Sequence, residues 1–164
     1  MIGKVIANVV LGVCAAVSFP ALAHASGGTI DLSGYMVGST AYFNMGGHNC
    51  SITAQGAVGC DLTPPAAFMQ VSFTGDREQQ YPIPYVPAVG IDDPSLPAHP
   101  QWFAAGSHTL SGGNRIVPTP TSPGAPPWIS YAGANCEVTP VSVNVQCWTA
   151  AHTFYLTGGQ VSGF

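Results

Sequence analysis

Charge is what this chain has least of. Only 6% of its 164 residues are charged, three Lys or Arg against seven Asp or Glu, for a formal net charge of −4. A soluble domain ordinarily carries about a quarter charged residues, so uncharged Ser, Thr, Asn, Gln, Gly and Pro must cover much of this surface. Strong nucleic-acid binding neutralises roughly 6 to 10 phosphates. Lys4, Arg77 and Arg115 cannot do so, and DNA and RNA are excluded as partners. Disorder driven by charge is excluded as well, because 46% of the residues are hydrophobic. Helix-compatible sequence is equally scarce. The chain holds 20 Gly and 15 Pro, which cost about 1 and 3 kcal/mol respectively in a helix interior, so a helical bundle is excluded. No G-x-S-x-G elbow, H-E-x-x-H helix, C-x₂₋₄-C zinc knuckle or cofactor fingerprint occurs.

What is present begins with a leader. Residues 1–25 carry Lys4, an apolar run from Val5 to Phe19, Pro20, and small residues at Ala21, Ala23 and Ala25. This is the pattern of a secretory signal peptide. Cleavage is expected after Ala25, with Ala21 and Ala23 offering a second site two residues earlier. A membrane anchor needs about 20 apolar residues, and Asn8 interrupts a shorter run. Cys14 follows Val13 rather than the small residue of a lipobox and is discarded with the leader. Residues 26–164 remain as one exported domain with four cysteines, Cys50, Cys60, Cys136 and Cys147. An even number in an oxidising compartment implies two disulfides.

The cysteines lie in two copies of one pattern. AYFNMGGHNCSITAQGAVGCDL surrounds the first pair and WISYAGANCEVTPVSVNVQCWT the second. Each has an aromatic approach, a Gly, Asn-Cys-x-(Ile or Val)-Thr, a connector and Val-x-Cys, the second copy being one residue longer inside its connector. Antiparallel pairing of Cys50 with Cys60 sets Ile52 opposite Val58 and Thr53 opposite Ala57, with Gly56 where a bulged turn needs positive φ. Pairing Cys136 with Cys147 sets Val138 opposite Val145 and Thr139 opposite Asn144. Four cysteines allow three connectivities, and this parity favours the two local ones. Each local bridge closes a loop of about 11 residues, worth roughly 2.8 kcal/mol against the unfolded chain.

Gly-Gly-His-Asn-Cys (46–50) ending at Val-Gly-Cys (58–60), and Gly-Ala-Asn-Cys (133–136) ending at Val-Gln-Cys (145–147), resemble the G-N-x-x-C…C hairpins of small exported proteins of actinobacteria, mycobacteria and nocardiae among them. Here Asn directly precedes Cys, a departure from that spacing. The resemblance implies an extracytoplasmic location and disulfides, and carries no catalytic residue with it.

Further along, Phe68 to Thr74 alternates as a strand and Asp76 to Glu78 reads as a turn. Six prolines between Tyr81 and Trp102 predict a long surface loop, and a second proline-rich loop spans 117–128. One or two short strands are expected over 103–117. Trp148 to Leu156 and Gln160 to Phe164 flank a Gly158-Gly159 turn. The expected fold is all-β, a small antiparallel sandwich or barrel with two stapled hairpins.

Chemistry is sparse. His99, His108 and His152 coexist with Asp92 and Asp93, yet Asp-Asp-Pro is ordinary turn chemistry, and His108 reads as a surface polar residue. Asn49-Cys50-Ser51 matches a glycosylation sequon, but its central cysteine is committed to a disulfide. The aromatics stand out: Tyr81, Tyr85, Trp102 and Trp128 border the proline-rich stretches and are the candidate ligand contacts, the plain alternative being that they fill the core. The expected function is therefore non-catalytic: an exported or cell-envelope protein that binds a neutral or apolar envelope component, glycan or protein. A secreted hydrolase using the histidines with Asp92 or Asp93, and a protease inhibitor presenting the 81–102 loop, are the alternatives.

Overall fold

The structure, a computed structural model, describes residues 29–72, 80–118, 128–139 and 144–164. The expected leader, the turn at Asp76 to Glu78, most of the second proline-rich stretch and the connector 140–143 lie outside them. In chain order the strands are β1 (Met36–Val37), β2 (Thr40–Met45), β3 (His48–Thr53), β4 (Val58–Ser72), β5 (Gln80–Ile91), β6 (His99–Pro100), β7 (Trp128–Tyr131), β8 (Ala134–Thr139), β9 (Asn144–Trp148), β10 (Thr153–Thr157) and β11 (Gln160–Gly163). Among the described residues there are two 3₁₀ turns, Leu32–Gly34 and Trp102–Ala104, and no helix long and apolar enough to cross a membrane.

The repeated pattern becomes a repeated three-stranded meander, β2–β3–β4 and β7–β8–β9. Two-residue turns with positive φ join the first two strands of each, Gly46 (58°) and Gly47 (87°) in one, Ala132 (49°) and Gly133 (86°) in the other. Phe43 pairs with Cys50 and Ile129 with Cys136, so the first two strands of each copy share one register. Both disulfides form, Cys50–Cys60 and Cys136–Cys147, with Ile52 opposite Val58 and Val138 opposite Val145 as the parity requires. Gly56 takes φ 80° in the first connector.

β4 is the spine. Its 15 residues keep β5 along one side, while β3 covers the other side of its first half and β11 the other side of its second. The register with β5 breaks between Asp61 and Ala66, so Leu62 to Pro65 stand opposite Pro87 alone. From this break the sheet bends into two arms, β3–β2–β1 and β11–β10–β9–β8–β7, which curl as a half-barrel. Their ends approach each other: Ile30 N donates to Trp128 O at 3.2 Å, and Tyr131 Oη to Ser39 O at 3.4 Å. The enclosed core holds Phe43, Met45, Ile52, Met69, Ile129, Phe154 and all four half-cystines, each 0–1% exposed.

Three expectations are corrected. The stretch 81–102 is not a loop throughout, since Gln80–Ile91 pairs with β4 as a strand. Pro82 and Pro84, two apart, turn their missing donors to the same side of an edge strand, where the ladder needs none, and Pro87 falls in the register break. Residues 103–117 form no strand beyond an isolated bridge of Ile116 to Asn44. Finally, the all-β expectation holds and of its two forms the barrel-like one is nearer, but the single curled sheet closes only as a half-barrel and is not wholly antiparallel, since β11 runs parallel to β4.

Candidate functional site

On the outer face of the sheet, across β3, β4, β5 and β6, Ser51, Gly59, Gly90 and His99 stand side by side in register. The two glycines make a trough. A Cβ on Gly59 would strike the His108 ring and lie 2.9 Å from Val89 O, and one on Gly90 would lie 2.5 Å from the Gln101 carboxamide. Along the trough runs a chain of hydrogen bonds. Gln101 Nε2 donates to Asp92 Oδ2 at 2.8 Å, which leaves Gln101 Oε1 to accept from His108 Nε2 at 2.8 Å. His108 Nδ1 is then the acceptor for the Ser51 hydroxyl at 2.8 Å. His99 closes the far end, Nε2 lying 3.1 Å from Asp92 Oδ1.

Two buried polar residues hold the covering segment 101–114 to the sheet. The Asp61 carboxylate, 7% exposed, accepts from Gly106 N (2.7 Å), His108 N (3.0 Å) and Thr109 Oγ1 (2.6 Å). Asn114 Nδ2 lies 3.2 Å from Phe43 O, 3.1 Å from Cys50 O and 2.7 Å from His108 O, while its Oδ1 accepts from Leu110 N at 2.9 Å. Burial pushes the His108 imidazole below its ordinary pKa, with Asp61 and Asp92 pulling the other way. The neutral ring that results is the form the chain of bonds needs. His108 is thus an internal connector, which corrects the expectation of a surface polar residue.

The same anchoring displays aromatic rings. Gln101 N donates to Ala88 O at 2.8 Å and fixes the start of the 3₁₀ turn Trp102–Ala104. Trp102 Nε1 donates to the carbonyl of Tyr85 at 2.9 Å. Tyr85 adopts φ 50°, a left-handed conformation that a bulky residue holds only when its surroundings enforce it. Tyr85 is 64% exposed, Trp102 46% and Phe103 106%, so no neighbour covers the Phe103 ring. Pro84, which precedes Tyr85, and Pro64 and Pro65, across the register break from Pro87, are exposed too.

Of the four candidate contacts, Tyr85 and Trp102 are joined directly, and Tyr81, 55% exposed, lies four residues before Tyr85 on β5. Trp128 stands apart. It lies on β7, stacks on Trp148 with ring centroids 6.2 Å apart, and has a buried Nε1 without a hydrogen-bond partner. Asp92 and Asp93 sit at one end of the half-barrel, on the wall of an open depression of about 270 Å³ with Gly56, Ala132, Gly133 and Ala150. Asp93 Oδ1 accepts from Ser95 N at 2.8 Å and Ser95 Oγ at 2.6 Å, as a turn residue does. Those bonds hold its carboxyl below the usual range, helped by His99 and His152. Among the described residues no three His, Cys, Asp or Glu side chains gather to hold a metal.

No family model, curated protein or solved structure matches the chain. The sequence pointed to His99, His108 and Asp92 of the trough, but not to Ser51, Gln101 or the bonds that join them, and it did not point to Phe103. The available signal was Gly59 and Gly90, each a glycine inside an otherwise apolar strand run, where another group approaches the backbone closely.

Proposed function

We propose that this chain is a non-catalytic exported protein, secreted or held at the cell envelope, that acts by binding through Tyr85, Trp102 and Phe103. One observation carries the reading: a fully uncovered Phe beside a half-exposed Trp, on a turn fixed to β5 by Gln101 N on Ala88 O and Trp102 Nε1 on Tyr85 O. Leaving large apolar groups in water is unfavourable, and a rigid scaffold presenting them is a common form of binding site. Two buried disulfides and the apolar leader support export. The test is retention of the protein on its own cell envelope. The Phe103→Ser, Trp102→Ala double variant should lose retention while its thermal midpoint stays within a few degrees of the parent. Equal retention by the variant overturns the reading; should the double variant unfold, Trp102 is a structural ring and Phe103→Ser alone, at a wholly exposed position, decides by the same criterion.

A secreted hydrolase has one observation in its favour, the 2.8 Å contact of Ser51 Oγ with a neutral His108. Against it, Ser51 is 5% exposed beneath the ring, and His108 meets the Gln101 carboxamide where a triad has a carboxylate. Labelling of Ser51 by a fluorophosphonate probe would restore that reading. The inhibitor alternative keeps only half of its 81–102 loop, since residues 81–91 belong to β5.

A further inference from the structure

The binding reading leaves open what covers the three rings, and their chemistry narrows the choice. Trp102 and Phe103 are consecutive in a 3₁₀ turn, so their side chains project about 120° apart. They form a knob rather than the flat platform on which a sugar ring stacks. The knob also offers few hydrogen bonds: the one Trp102 donor is spent on Tyr85 O, and both ends of the Gln101 carboxamide are taken by Asp92 and His108, which leaves the Tyr85 hydroxyl as the polar group of the three rings. A hydroxyl-rich glycan would find little to bond there. Charge is missing as well. Arg115, the one Lys or Arg among the described residues, is occupied elsewhere, over the Tyr35 ring at 5.2 Å and against Gly34 O. The chain as a whole carries −4, which disfavours an anionic surface.

Resting on the binding reading above, we propose that the knob seats in the acyl region of an uncharged or zwitterionic lipid surface. Phe103 enters the hydrocarbon, and Trp102 and Tyr85 lie at headgroup depth, where amphipathic rings are preferred. Three rings without a cationic patch give weak, reversible attachment, comparable in kind to a single lipid chain without a second signal.

Co-sedimentation of the disulfide-bonded protein with phosphatidylcholine vesicles, with and without phosphatidylglycerol, tests this. The parent should partition onto phosphatidylcholine, lose affinity as phosphatidylglycerol is added, and lose about tenfold or more on Phe103→Ser. Because Phe103 is wholly exposed, that substitution leaves the fold intact, which circular dichroism verifies. Equal partition of parent and variant, or binding that rises with phosphatidylglycerol, overturns the lipid assignment. Retention of the parent but not the variant on an insoluble neutral polysaccharide, on an envelope protein, or as a self-associated dimer, with no vesicle binding, also overturns it and leaves the binding reading standing. If Phe103→Ser changes no association of any kind, both fall.

Discussion

Two absent methyl groups hold the candidate site in place. His108 and Gln101 reach the outer face of the sheet only because Gly59 and Gly90 leave the backbone bare beneath them. Gly59→Ala should cost about 1–3 kcal/mol in denaturant unfolding, because the imidazole and the Val89 carbonyl both close on the new carbon. It should also raise amide exchange across 101–114; unchanged stability and exchange would refute the trough. The same packing sets a pH dependence. Burial lowers the pKa of both His108 and His48 in the folded state. The folded protein therefore binds fewer protons than the unfolded chain below the ordinary histidine pKa of about 6.5. Stability is full above that pH and declines as the pH falls from 7 toward 5. His108→Gln should flatten part of that decline in unfolding measured at several pH values; a slope identical to the parent's would show that His108 does not titrate as its burial requires.

At the level of strands, the two meanders act as internal controls on each other. Where the first turn has Gly46, the second has Ala132 at φ 49°, a conformation that disfavours a Cβ. Ala132→Gly should therefore raise stability by up to about 1 kcal/mol, the relief of strain being partly offset by the freer unfolded chain. A loss of stability would mean that the Ala132 methyl packs better than the turn geometry implies. These hairpins were legible in the sequence because cysteine, branched apolar residue and turn residue all lie within a dozen positions and share one parity. β5 was not. Its prolines deny a central strand, but on an edge strand Pro82 and Pro84 remove only donors that face outward. The trough was less visible still, since Ser51, Asp61, Gln101, His108 and Asn114 meet only after four strands have paired. Tyr85 and Trp102 stood out as uncharged aromatics beside prolines, whereas the junction between them depends on a backbone carbonyl that no side-chain pattern announces.

For the whole molecule, the break in β4 between Asp61 and Ala66 is what turns one sheet into two arms, and each arm carries one bridge. Trp128, on the longer arm, and Trp102, on the turn that follows β6, are used differently. Trp128 stacks on Trp148 near the place where Ile30 joins the arm ends, so Trp128→Ala should lower the thermal midpoint. Trp102→Ala, at a half-exposed ring, should lower it far less. Comparable losses for the two would merge the rings into one structural role and remove the distinction between core and contact.

All four half-cystine residues are 0% exposed, and reduction requires a thiolate to travel in line to a sulfur. A reductant therefore waits for the sheet to part, and at saturating dithiothreitol the appearance of free thiol becomes a clock for that parting. If the arms open as one unit, Cys50–Cys60 and Cys136–Cys147 should be released with a single rate constant that stops rising with reductant concentration. Two separate plateaus would reveal arms that come apart independently, each keeping its own time.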